Sequence, residues 1–193
     1  MKQELHLPIN LGLNDGTICP ASCIEVMQKH NSRTSLRNYT TADNVPLLDV
    51  ICEQDGVTHE NIFLANGSGP LLKQCIPWIV ENKIRSSKKL MAKYLAKKKL
   101  GFGEAAFPIV SGRLTYFKVP LKAMNAGLDV KLLPLDESTD WKLRLSDVEK
   151  AISKNPALVY ICNPNNPTGQ LMLERSEIIT LLDKYPDSIF WVD

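Results

Sequence analysis

The chain has 193 residues, 44% of them hydrophobic and 23% charged, with a formal net charge of +2. This is ordinary for a soluble globular domain, and the length can bury a sizeable core. No strong charge asymmetry calls for a nucleic-acid or membrane partner, and no run approaches the ~18 apolar residues of a membrane-spanning helix.

Met1 to Asn10 carry Lys2, Glu4 and Pro8, so they cannot form the apolar core of a signal peptide. The five cysteines are scattered, odd in number and without a Cys-x-x-Cys pair, which reads as reduced structural thiols in a cytoplasmic protein. The isolated His6, His30 and His59 argue against a metal site.

The stretch to Tyr39 is polar and loop-rich, with a short helix expected from Ser22 to His30 that carries Ile24 and Met27 on one face. A second helix is expected from Val45, with Asp43 and Asn44 as cap candidates and Pro46 in its first turn. It buries Leu47, Leu48 and Ile51 and stops before Gly56. Ile62 to Leu64 reads as a short strand, followed by the turn Asn66-Gly67-Ser68-Gly69-Pro70. Leu71, Leu72, Cys75, Ile76 and Ile79 then recur at helical spacing, with Pro70 at the first helical position and Pro77 expected to kink or shorten the helix. Asn82 to Leu100 is rich in lysine, with a narrow apolar stripe of Leu90, Met91, Tyr94 and Leu95. A solvated surface helix explains it better than a site for an acidic partner.

A regular alternation follows. Strands are expected over Ala105–Val110, Leu128–Leu135, Ala157–Cys162 and Ser188–Val192. Helices are expected over Tyr116–Ala126, Ser146–Ser153 and Glu174–Tyr185, with Ser146 and Glu149 as a capping box. Strands alternating with amphipathic helices argue a parallel, doubly wound α/β sheet. Ligands bind such sheets at the carboxyl ends of the strands, which singles out the turns after Leu64, Cys162 and Val192.

Two of these turns have the composition of a site. In Asn66–Pro70 the glycines allow close backbone approach, and a helix start offers free N–H groups and a positive dipole end to an anion. Asn163-Pro164-Asn165-Asn166-Pro167-Thr168-Gly169 follows a buried strand. Its X–Pro bonds can be cis, and such a constrained turn can aim Asn166 into the strand-end crevice. A plain turn requires nothing so specific. Gly101 and Gly103 have no third glycine at the distance that a dinucleotide-binding loop needs.

The string Asn163–Gly169 resembles the signature of the class I/II aminotransferases of fold type I, most closely the histidinol-phosphate aminotransferase branch. Ile62 to Pro70 is similar to that branch's Gly-Asn-Gly-Ser-Asp-Glu turn. Leu114-Thr115-Tyr116 stands where the family has Pro-Thr-Phe/Tyr, and Trp191-Val192-Asp193 matches the start of Val-Asp-Glu-Ala-Tyr. Order and rough spacing agree from about Leu11 to Asp193. The resemblance implies pyridoxal 5'-phosphate (PLP) as cofactor, with the amides near Gly69 and the Ser68 hydroxyl on its phosphate and Tyr116 stacked on its ring. Asn166 would meet the phenolic oxygen, and Asp193 the pyridine nitrogen, whose protonation makes the ring an electron sink. Tyr39 matches a tyrosine that reaches the neighbouring subunit's phosphate, which implies a homodimer.

The domain organisation implied is an arm and the start of a small domain over residues 1–40, then the N-terminal part of the PLP-binding large domain over 41–193. The activity implied is amino-group transfer between an amino acid, such as histidinol phosphate or an aromatic one, and a 2-oxo acid. A PLP-dependent decarboxylase of the threonine-phosphate type shares the pattern. Gly69-Pro70 departs from the commoner Asp-Glu, and the stretch from Gly69 to Gly103 is longer than the family's. The family's cofactor-linking lysine and carboxylate-binding arginine lie beyond the aspartate, so this chain alone is expected to be inactive.

Overall fold

The computed structural model describes residues 19–30, 45–100 and 106–193. The chain divides into two units, Met1–Phe63 and Leu64–Asp193.

In the first unit, α1 spans Ala21–His30 and α2 spans Val45–Asp55. Both match the expected helices closely. Among the described residues, however, Ile24, Met27 and Leu47 remain exposed, so the expected burial of Leu47 is not observed. Gly56 ends α2 at φ 66°, the left-handed conformation that glycine adopts without a Cβ clash, and its N–H donates to the Cys52 carbonyl. A short 3-10 turn, His59–Asn61, follows, with the His59 ring against the Asp49 carboxylate at 2.8 Å. The strand expected over residues 62–64 is absent. Ile62 is extended, but three apolar residues make a strand only when a neighbouring ladder accepts them, and these pair with none.

The second unit opens with α3, Ser68–Arg85. Pro77 does not shorten it: one helix of 18 residues runs through the proline. Burial explains this, because Leu72, Ile76, Val80 and Ile84 recur every four residues and form one packed ridge. Ser68, rather than Pro70, takes the first helical position. A break at Ser86–Ser87, where the Ser87 hydroxyl accepts from the Leu90 N–H, starts α4, Lys88–Leu100. Leu90 is buried and Met91 and Tyr94 pack on the same core, whereas Leu95 stays exposed.

Four short strands then alternate with helices: β1 Ile109–Gly112, α5 Lys118–Asn125, β2 Val130–Leu133, α6 Leu145–Ile152, β3 Leu158–Ile161, α7 Arg175–Lys184 and β4 Ile189–Val192. All pairings are parallel and the sheet order is β2-β1-β3-β4. The doubly wound α/β expectation holds. β1 begins at Ile109, four residues later than expected, and ends two residues later, at Gly112; Ala105 lies outside the described residues. The expected capping box is not formed: α6 begins at Leu145, so Ser146 is already inside it, and Arg144 at the cap donates instead to the Ser138 carbonyl. The reciprocal device occurs at α7, where the Glu177 carboxylate accepts from the Glu174 N–H.

Alternation along the strands builds two cores. Ile109, Leu158 and Tyr160 face a cluster with α3 and α5, while Val110, Val159 and Ile161 face a cluster with α6 and α7. Each strand of the pair β1 and β3 is buried on both faces, as a parallel sheet covered by helices requires. Lys97 is paired with Asp129, which leads into β2, and Lys93 donates to Asn155, which leads into β3. The lysine-rich helix is therefore tied to the amino ends of the strands.

Truncating a ridge residue removes packing that the surface cannot replace. Ile76→Ala should lower the unfolding free energy by about 2–5 kcal/mol, and the exposed Lys99→Ala by no more than about 0.5 kcal/mol. Urea titration followed by tryptophan fluorescence compares them, and equal midpoints would contradict this core.

Candidate active site

A sheet of order β2-β1-β3-β4 reverses its winding between β1 and β3. In doubly wound proteins the loops leaving the carboxyl ends of such a strand pair diverge to opposite sides and leave a crevice where ligands bind. The loop after β1 carries Thr115 and Tyr116, the loop after β3 carries Asn163 to Gly169, and β4, next in the sheet, delivers Asp193.

Hydrogen bonds knit these segments together. The Thr115 hydroxyl donates to Asn165 Oδ1 at 2.7 Å, and Asn165 Nδ2 donates to the Leu114 carbonyl at 2.9 Å and to Thr168 Oγ1 at 2.8 Å. Asn165 is only 3% exposed, and its backbone closes the turn through Gly169 N–H and Gln170 O. Asn163 fixes the return of the loop: its Oδ1 accepts from Met172 N–H and its Nδ2 donates to Leu173 O. Its backbone N–H donates to the Asp193 carbonyl at 2.8 Å, joining the loop after β3 to the end of β4. The Asn163–Pro164 and Asn166–Pro167 bonds are both cis.

Two of the loop's asparagines thus serve its own architecture. Asn166 differs. Its side chain is exposed and makes no hydrogen bond to any described residue, while its backbone N–H donates to Cys162 Sγ at 3.4 Å. Among the described residues its side-chain amide is left without a partner.

Asp193 follows β4 directly and is exposed. Its N–H donates to Ile161 O, extending the ladder, and its Oδ2 accepts from the Tyr160 hydroxyl at 2.8 Å. Tyr160 is 1% exposed. Burial pushes its phenol well above the ordinary value, and the neighbouring Cys162 thiol and Asp193 carboxylate push the same way.

Tyr116 lies before α5 rather than within it, correcting the expected helix start. Its half-buried ring packs against the α3–α5 core, and Lys118 Nζ stands 5.7 Å from the ring centroid. Ser68 and Gly69 open α3 after Gly67, whose φ of 87° suits glycine, and both are exposed. Among the described residues, no hydrogen bond ties Ser68 to the loops after β1 and β3 or to Asp193. Tyr39 lies outside the described residues. Sequence reasoning passed over Thr115, Asn165 and Tyr160. The signal available for Tyr160 was a phenol in an otherwise aliphatic buried strand, since a buried tyrosine hydroxyl needs a partner.

Two measurements check this arrangement. Asn165→Ala leaves buried partners unpaired and should cost about 1–3 kcal/mol, with faster amide exchange across residues 113–116 and 163–170. Unchanged exchange there would contradict the lock. The raised phenol of Tyr160 means that the fold favours its neutral form. That stabilisation is complete below the unfolded-state value of about 10 and is lost as pH rises beyond it. Thermal melts from pH 8 to 11 should therefore show a steeper loss for the native sequence than for Tyr160→Phe.

Residues 102–192 match the family model described as aminotransferase class I and II. The histidinol-phosphate aminotransferase of Vibrio vulnificus (strain YJ016) is 42% identical over 73 residues, which are 38% of this chain and 20% of that protein. The structure of histidinol-phosphate aminotransferase from Sinorhizobium meliloti in complex with pyridoxal-5'-phosphate superposes with a TM-score of 0.64 at 18% identity, covering 90% of this chain and 40% of that one. L-threonine-O-3-phosphate decarboxylase from Porphyromonas gingivalis superposes with a TM-score of 0.56 at 20% identity, over 88% of this chain and 42% of that one. At these identities the superpositions show the fold, that of the fold type I enzymes. The chain spans 20% of that Vibrio relative and about two fifths of each of these structures. Residues 102–192, which carry the signature loop at the switch point, are thus similar in sequence to the class I and II aminotransferases, and the described fold matches that of the solved structures.

Proposed function

We propose that this chain forms the part of a PLP-dependent aminotransferase that grips the cofactor's ring and phosphate, within residues 41–193. The observation that carries the reading is Asp193: a carboxylate at the carboxyl end of a parallel strand, one oxygen engaged by Tyr160, beside the loop of Asn163 to Gly169.

The donor set suits PLP. A carboxylate suits a protonated pyridine nitrogen, and the unengaged Asn166 amide suits a phenolate oxygen. The half-buried Tyr116 offers a ring face. Ser68, Gly69 and the first N–H groups of the long helix α3 suit a phosphate. Gly69-Pro70 brings no side-chain oxygen, and the backbone donors at Ser68 and Gly69 remain. Bound there, the cofactor supplies an electron sink for amino-acid chemistry. The chain's own residues orient it: the Asn163 and Asn165 bonds hold the loop rigid, so Asn166 meets its target with little ordering cost. Tyr39 would act on a neighbouring subunit's cofactor in a homodimer of cytoplasmic location.

The reaction proposed is transfer of an amino group from an amino acid to a 2-oxo acid. Histidinol phosphate is the first donor to try, given the Vibrio relative's activity. Decarboxylation of a phosphorylated amino acid is the second reading, favoured by the likeness to the Porphyromonas enzyme. Lys93 and Lys97 of α4 are assigned no part in this chemistry, since they are bonded at the opposite end of the strands.

Titrating the chain with PLP and following visible absorbance should give saturable binding. Asp193→Ala should weaken it about tenfold to a hundredfold, as expected for loss of a charged hydrogen bond. Equal affinity in the variant would sink the assignment. Borohydride reduction with mass mapping should leave no stoichiometric adduct on any lysine from Lys83 to Lys99. A single fully labelled lysine there would overturn that exclusion.

A further inference from the structure

Resting on that reading, we infer that Tyr160 is a positioning residue for the cofactor's pyridine nitrogen: its buried hydroxyl fixes one oxygen of Asp193 and leaves the other to face the ring. The family match assigns no role to this residue.

The argument begins with the strand. β3 and β4 are in parallel register, with Tyr160 opposite Trp191 and Ile161 opposite Val192. A tyrosine side chain is long enough to pass its own rung and reach the residue beyond the partner strand. Here it does so, and Tyr160 Oη lies 2.8 Å from Asp193 Oδ2. The ring itself cannot move, because it is fully buried among the residues of the α3–α5 cluster. An exposed aspartate at a strand end would otherwise sample several rotamers. A hydroxyl held by the core removes that freedom at Oδ2, and a hydrogen bond to an ionised group is among the stronger kinds.

Charge points the same way. The neutral phenol is held as a donor by burial and by the carboxylate beside it, so it does not compete for the role of anion. Asp193, as the acceptor of that bond, supplies the carboxyl group that the pyridine nitrogen would face. Cys162 closes the arrangement from below: its thiol neighbours the Tyr160 hydroxyl, and its sulfur accepts from the Asn166 N–H. Tyr160 of β3 and Cys162 just after it thus contact both residues proposed to touch the ring's heteroatoms.

The test compares PLP with its 1-deaza analogue, in which carbon replaces the pyridine nitrogen, on the full chain. The unaltered chain should bind PLP the more tightly. Tyr160→Phe, which keeps the ring and the packing, should lose about threefold to tenfold of affinity for PLP, equivalent to one hydrogen bond. Its affinity for the deaza analogue should be unchanged. A merely structural role would weaken both ligands equally, and that result overturns the proposal. A second arm needs no cofactor. Ultraviolet titration of the tyrosines should show one phenol that ionises at lower pH in Asp193→Asn than in the native sequence, and that is absent in Tyr160→Phe. No difference between Asp193→Asn and the native sequence would overturn the proposal whether or not PLP binds. Failure of the native chain to bind PLP, with the tyrosine difference intact, would instead sink the cofactor reading.

Discussion

The parallel pairing of β1 with β3, with β2 on one flank and β4 on the other, is the constraint on which the rest depends. Two strands adjacent in space but separated in sequence by an entire α-β-α passage must send their exit loops apart. The crevice between those loops cannot be filled by either one. Thr115 and Asn165 bond between the two loops at 2.7 Å, and Asp193 is joined to the loop after β3 through its carbonyl. The candidate site is therefore a consequence of strand order, refined by polar residues that hold the loops in place.

That refinement is economical in chemical terms. Of the loop's asparagines, Asn163 and Asn165 satisfy backbone groups that would otherwise be left unpaired near the core, where an unmade hydrogen bond costs about 1–3 kcal/mol. Asn166 is exempt from that work: its side chain is exposed and has no hydrogen-bond partner among the described residues. The same division appears beneath, where Tyr160 and Cys162 are core residues by burial and yet direct polar atoms toward Asp193 and Asn166. The lysine-rich helix is anchored at the amino ends of the strands by Lys93 and Lys97.

Much of this was legible in the sequence. The alternation of apolar strands and amphipathic helices announces the doubly wound sheet, and the Asn-Pro string marks the loop after β3, because backbone chemistry of that density has local causes. What escaped was set by tertiary contact. Residues 62–64 have strand composition but no ladder to join. Pro77 reads as a helix breaker, yet the ridge of Leu72, Ile76, Val80 and Ile84 carries α3 through it. Tyr116 looked like a helix start, but α5 begins at Lys118. The partners of Asn165 and Tyr160 lie 50 and 33 residues away in sequence, a pairing that only strand order reveals.

The central claim is that Asp193, at the end of β4, holds the cofactor's nitrogen in its protonated form. Nitrogen-15 magnetic resonance of the chain saturated with pyridine-15N-labelled PLP tests it most directly. The account predicts a protonated-nitrogen resonance that moves to the unprotonated position in Asp193→Asn at neutral pH. An unprotonated resonance in the native chain, or one that Asp193→Asn leaves in place, would contradict it.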